Sequence, residues 1–225
     1  MKRKKIFTFL RNIAAHNDRE WFKAHRAEYD EARAIFEDMA QTLINRISTF
    51  DSEVANVEVK NTLYRFYRDT RFSPDKSPYK RHFGTYINTM GKKSIHGGYY
   101  FHIEPDNSMA ACGSYWLPSD ALYAVRNSIV VEIDRFRSIV ENSEFKSLYP
   151  TIGIEHLKTL PKGFPRDFPY PEYIRPKDYA LCTTLTENDI LADDWADTVA
   201  YRFKVLKPFL DFINETVDDY AEDYI

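Results

Sequence analysis

Cysteine is scarce in this chain of 225 residues: Cys112 and Cys182 stand 70 positions apart and form no CxxC pair. That spacing excludes a disulfide framework and leaves two reduced thiols in a cytoplasmic protein as the expectation. Long apolar runs are missing as well. No stretch approaches the roughly 20 residues a membrane-spanning helix needs, so no membrane partner is expected. The opening Met1-Lys-Arg-Lys-Lys5 has the basic character of a signal peptide, but Arg11 and Asn12 interrupt the apolar stretch behind it and no cleavage site follows. Residues 1–5 read instead as a disordered basic start. Internal repeats, linkers and low-complexity segments are lacking too, so residues 1–225 are expected to form one domain.

Aromatic residues, by contrast, are plentiful. They make up 16 % of the chain, with sixteen Tyr and sixteen Phe, which calls for a core or groove built of rings and for partners to any buried phenol. Ile6 to Ile13 reads as a short amphipathic helix. Asn17 or Asp18 then caps a longer one that reaches Ser48, with Phe22, Tyr29, Ala32, Phe36, Met39, Leu43 and Ile47 at helical steps. The period changes afterwards. Leu63–Tyr67, Phe83–Ile87, Tyr99–Glu104 and Met109–Tyr115 are short and ring-rich, separated by Gly, Pro, Asn and Asp, and "EPDNS" suits a hairpin connection. Helix returns after Pro118, and Asn142 or Ser143 caps a short further helix. Six prolines between Pro150 and Lys177 make that segment mostly loop. Tyr179–Leu185 is a further strand, and Thr186 caps a last helical region that Pro208 must kink or restart. The tail from Asp211 carries six acidic residues and no basic one, yet Phe212, Ile213 and Val217 mark it as a packed helix. These elements predict an α+β fold: a single domain with an antiparallel sheet of about five strands and helices packed mainly on one face.

Charge is distributed unevenly. The net charge is -3, but "RFYRDTRFSPDKSPYKR", residues 65–81, holds six basic and two acidic residues, a surplus of +4. In a strand, Arg65 and Arg68 fall on opposite faces, so at least one guanidinium lies toward aromatic side chains. The two Ser-Pro turns hold Lys76, Tyr79 and Lys80 close to it. Arg supplies a planar fork for phosphate or carboxylate, and Lys a point charge. Arg65, Arg68, Arg71, Lys76, Lys80 and Arg81 are therefore the candidate ligand-binding residues. Lys162, on the proline-stiffened "LPKGFPRDFP" loop, joins them. The competing reading is a structural network in which Arg65, Arg68 and Arg71 pair with Asp69, Asp75 and the acidic tail. Two local carboxylates cannot neutralise six cations, which favours a ligand.

His102 and Glu104 lie two apart on a strand and share a face with Tyr100. Such a pair can act as general base and orienter, or begin a metal site. Tyr79, His102 and Glu104 are the candidate catalytic residues. H-x-E also opens the zinc-deaminase signature, but no P-C-x-x-C follows. His16, His25, His82, His96 and His156 form no i, i+4 pair, so no metal site is expected from spacing. Ser77-Pro-Tyr-Lys80 spells S-x-x-K without the S-D-N or K-T-G that accompanies that chemistry. Gly97-Gly98 leads into a strand and not a helix, which excludes a phosphate loop.

"REWF", "RDTRFSPDKSPYK", "GGYYFHIEP" followed by "CGSYWLP", and "LPKGFPRDFP" together resemble the family called domain of unknown function 2461, bacterial and fungal proteins. The resemblance covers the chain from about Phe7 to Asn214 and implies a single-domain protein with no assigned activity and no catalytic residues to carry over. The family often has His at the position of Phe168, so no catalytic His is expected there. Three functions are compatible with these residues. The favoured one is binding of an anionic small molecule at the 65–81 stretch, with catalysis and cofactor left open. The second is nucleic-acid binding, against which the acidic remainder and a pI near 6.1 weigh. The third is a non-enzymatic module that docks an acidic partner.

Overall fold

The structure is a computed structural model that describes residues 2–223. Helix α1 (Lys4–Ala15) is followed by α2 (Arg19–Ala24), α3 (Arg26–Ile47), a 3-10 turn at Ser52–Asn56 and α4 (Val59–Thr62). Three strands come next, β1 (Phe83–Ile87), β2 (Gly98–Ile103) and β3 (Ser108–Ser114), then α5 (Ser119–Val131), α6 (Ile133–Val140), α7 (Ser143–Leu148) and α8 (Pro171–Ile174). Strand β4 (Tyr179–Leu185), α9 (Glu187–Leu191) and α10 (Trp195–Asp223) complete the order. The fold is α+β, with one antiparallel sheet in the order β1-β2-β3-β4. No helix among the described residues is long and apolar enough to cross a membrane.

The sheet has four strands where about five were expected. Leu63–Tyr67, the missing one, meets β1 and the segment before it only through isolated bridges, Leu63 with Thr85 of β1 and Tyr67 with Tyr79. Its burial explains why. Leu63 and Phe66 are both in the core although three residues apart, so the backbone twists out of the two-residue alternation that a strand requires. Pro78, opposite Arg68, also has no N–H to donate. At the N-terminus, Lys4 and Lys5 are the first turn of α1 and not part of a disordered start; Met1 lies outside the described residues. The long helix expected from Asp18 to Ser48 is two helices. His25 leaves helical geometry, and its Nδ1 donates to the Trp21 carbonyl at 2.8 Å while its ring stacks on Trp21 at 3.9 Å. Pro208 neither ends nor restarts α10, which runs through it.

The chain packs as two compact units interleaved in sequence, and β2, β3, β4 and α10 contribute residues to both. The first takes in the chain up to Lys92, Tyr100–Ala110 and Thr184–Tyr201. Its centre is a cluster of rings. Phe83 of β1 lies 5.3 Å from Phe66, 5.4 Å from Phe36 and 6.1 Å from Phe9, while Phe22 stacks on Tyr79 at 4.1 Å. Phe101 of β2 adds to it between Phe36 and Trp195. Each such pair contributes about 0.5–1.5 kcal/mol beyond burial alone.

The second unit takes in Lys93–Tyr99, Ala111–Thr183 and the chain from Arg202. Phe203, Phe209 and Phe212 of α10 pack here against Tyr99, Phe145 and Phe136 respectively. The proline-rich crossing is tied to β4 by the buried Asp178 carboxylate, which accepts from the backbone N–H groups of Ile154, Glu155 and Ala180. Strands β3 and β4 approach so closely at Gly113 that a Cβ there would lie 2.1 Å from the Tyr179 carbonyl oxygen, and its φ of +105° is left-handed. Gly113→Ala is therefore expected to lower stability by about 1–3 kcal/mol from backbone strain alone. Urea unfolding checks this, and an unchanged midpoint contradicts the close approach.

Candidate functional site

Alternation along β1 and β2 divides their side chains. Phe83 and Phe101 enter the ring cluster, which sends His82 and Gly84, and on the neighbouring strand Tyr100, His102 and Glu104, to the opposite face. Gly84 has a specific task there: a Cβ at that position would lie 3.0 Å from the Tyr100 hydroxyl. Glycine thus leaves room for the phenol to lie across β1.

On this face, Tyr100, His102 and Glu104 form a hydrogen-bonded chain. The Tyr100 hydroxyl lies 2.8 Å from His102 Nδ1, and His102 Nε2 lies 3.2 Å from Glu104 Oε2. Burial raises the Tyr100 phenol and lowers the His102 imidazole, the latter opposed by Glu104. Both groups are therefore neutral near pH 7. The phenol O–H donates to Nδ1, and Nε2–H donates to the carboxylate. Glu104 is fixed in turn by Asn107, whose Nδ2 donates to the same Oε2 at 2.9 Å. The β2–β3 turn holds both residues, with Asp106 in the left-handed region at φ 63° and Asn107 N donating to the Glu104 carbonyl. A phenol, an imidazole and a carboxylate in line can pass a proton at the phenol end while the carboxylate keeps the imidazole oriented.

His82 lies beside this chain, its ring 4.2 Å from that of His102. Its pKa is lowered to about 4, first by burial and then by His102 and Lys80. His82, His102 and Glu104 each offer one donor atom, and these atoms all lie within 4.8 Å of one another. They are the residues that could hold a metal ion.

Lys80 completes the face. Its Nζ lies 5.2 Å from the centre of the Tyr64 ring, and Tyr64 meets Tyr100 edge-on at 6.1 Å. Burial, and then Arg65, lowers its pKa. Lys80 has no carboxylate partner among the described residues. Lys92 approaches the same Tyr64 ring at 5.7 Å and donates to the Leu63 carbonyl.

The other cations of the 65–81 stretch lie elsewhere. Arg68 pairs with Asp75 and donates to the Ser77 carbonyl at 3.2 Å. Asp75 sits well below the usual carboxylate range, held there by the Ser77 hydroxyl and N–H and then by Arg68. Arg71 engages both oxygens of Asp69, and Lys76 donates to the Thr70 carbonyl. Arg68 and Arg71, with their local carboxylates, fit the internal network weighed as the competing reading. Arg65 and Arg81 are exposed. Lys162 belongs to the second unit, on a loop whose Phe164 packs against Tyr123 at 5.0 Å. The Tyr79 ring is buried among Phe22 and Phe66, on the core side and away from His102. Of the sequence candidates, the fold brings together Lys80, His102 and Glu104, and it adds His82, Tyr64 and Tyr100. A search along the sequence for i, i+4 histidines passes over His82, because its partner is across the sheet; continuing the β1 alternation one residue upstream would have found it.

A family model described as a conserved hypothetical protein, DUF2461, matches residues 5–212. No curated protein and no solved structure matches the chain. The matched span includes every residue of the β1–β2 polar face, and the chain belongs to the DUF2461 family.

Proposed function

We propose that the chain binds an anionic small molecule, a phosphate or carboxylate, on the polar face of β1 and β2, and that the Tyr100–His102–Glu104 chain exchanges a proton with it. The observation that carries this reading is Lys80. Its ammonium is half-buried, its pKa is lowered by that burial, and among the described residues it meets the Tyr64 ring and pairs with no carboxylate. A partly desolvated cation without a counter-charge is costly, and an anion offsets that cost. Arg65 and Arg81, exposed nearby in sequence, add a positive field that steers anions inward. In this reading Arg68, Arg71 and Lys76 shape the loop through their own pairings and do not clamp the ligand. His102 acts as the base toward the Tyr100 hydroxyl, and Glu104 holds the imidazole in the Nε2–H form.

Two measurements test it, both with a metal chelator present. In a thermal-shift and calorimetric panel of sugar phosphates, nucleotides and small carboxylates, at least one class should stabilise the wild type saturably. Lys80→Met, which keeps the stem but removes the charge, should weaken that class about 10- to 100-fold, the value of a hydrogen bond to a charged group. Equal affinity in the variant, or no stabilisation by any class, contradicts the anion reading. Separately, Gly84→Val is expected to displace the Tyr100 phenol, so the ¹⁵N resonance of His102 Nδ1 should move toward that of a free acceptor. An unmoved resonance would show that the phenol is not held by this packing.

A further inference from the structure

We propose that His82, His102 and Glu104 bind a divalent transition-metal ion of the zinc class. Two imidazoles and one carboxylate suit Zn²⁺ and its first-row neighbours and disfavour Mg²⁺ and Ca²⁺, which prefer oxygen donors. The three donor atoms lie within 4.8 Å of one another; His102 is on β2, His82 immediately precedes β1 and Glu104 immediately follows β2. Zinc bonds of about 2.0–2.2 Å require them to draw closer on binding. His82 is the residue that points to a ligand. It is a half-buried imidazole, and neither of its ring nitrogens has a hydrogen-bond partner among the described residues.

The surroundings already supply what an outer layer of a metal site needs. A ligating His donates its other ring N–H to an oxygen that fixes its orientation. With His102 Nε2 on the metal, its single proton resides on Nδ1 and points to the Tyr100 oxygen at 2.8 Å. The ring keeps one proton, moved from Nε2 to Nδ1, and the phenol keeps its own by turning it to another acceptor. Asn107 holds Glu104 through Oε2, which leaves Oε1 for the ion. Three protein donors leave at least one position of a tetrahedral ion for an outside ligand. With the ion bound, His102 and Glu104 serve as ligands in place of the proton exchange of the metal-free protein, and the metal site rests on the anion reading only in this respect: the anion near Lys80 would be the ligand that closes the coordination. The metal site itself rests on His82, which the anion reading does not use.

The experiment uses the full chain, stripped with chelator and titrated with Zn²⁺ by calorimetry and with Co²⁺ by visible absorption. One equivalent of Zn²⁺ should bind with micromolar affinity or tighter, and Co²⁺ should give the visible bands of a four- or five-coordinate ion. His82→Ala and Glu104→Gln, chosen because neither residue is in the core, should each weaken binding at least 100-fold with circular dichroism unchanged. Tyr100→Phe should weaken it about 10-fold by removing the oxygen that orients His102. Absence of binding, or binding that His82→Ala and Glu104→Gln leave intact, overturns the site. The Lys80→Met comparison in metal-free protein is unaffected by either outcome, so failure of the metal and failure of the anion are separately visible.

Discussion

The burial of Phe83 and Phe101 in the ring cluster of the first unit is the constraint on which the rest depends. Once those two side chains are committed to Phe36, Phe66 and Trp195, the two-residue alternation of a strand leaves no freedom to their neighbours. His82, Tyr100 and His102 are sent to the other face together. A shift of one residue in either strand would turn its imidazole toward the ring cluster and its phenylalanine away from it. Hydrophobic burial therefore holds the polar face in register, and the hydrogen bonds on that face only refine it.

Electrostatics then divides the cationic stretch into two kinds of residue. Arg68 and Arg71 have carboxylates of their own within a few residues, Asp75 and Asp69; the first pair spans the Ser73-Pro74 turn and the second lies just before it. Exposed pairs of this sort contribute little, about 0–1 kcal/mol each, so their role is in setting loop shape more than in stability. Lys80 differs because alternation turns it inward, onto the same face as His82. Its charge meets the Tyr64 ring. The local surplus of charge thus has two physical origins: turns that consume their own cations, and one ammonium delivered to a polar, partly desolvated face.

Much of the fold was legible in the sequence. Apolar spacing marked α1 and most of α3, ring-rich segments marked β1 to β3, Tyr179–Leu185 was read as a further strand, and "EPDNS" marked the hairpin that holds Glu104. The failures have local causes. His25 breaks a helix because its ring donates to a carbonyl one turn back, a contact that periodicity does not register. Leu63–Tyr67 stays out of the sheet because two core residues three apart twist it. Of the candidate site, His102 and Glu104 were readable from type and alternation, and Lys80 from the cationic run and its Ser-Pro turns. His82 was missed, because its significance depends on which strand lies beside it. Tyr79 drew attention through its place in a turn, yet its ring packs into the core.

The central claim is that the polar face of β1 and β2, and not the tip of the charged loop, receives the ligand. Chemical-shift mapping with the best-binding anion of the panel tests it most directly. The account predicts that the largest changes fall on Tyr64, Lys80, His82, Tyr100, His102 and Glu104. Changes centred on Arg68, Arg71 and Lys76, with the face of His102 undisturbed, would contradict it.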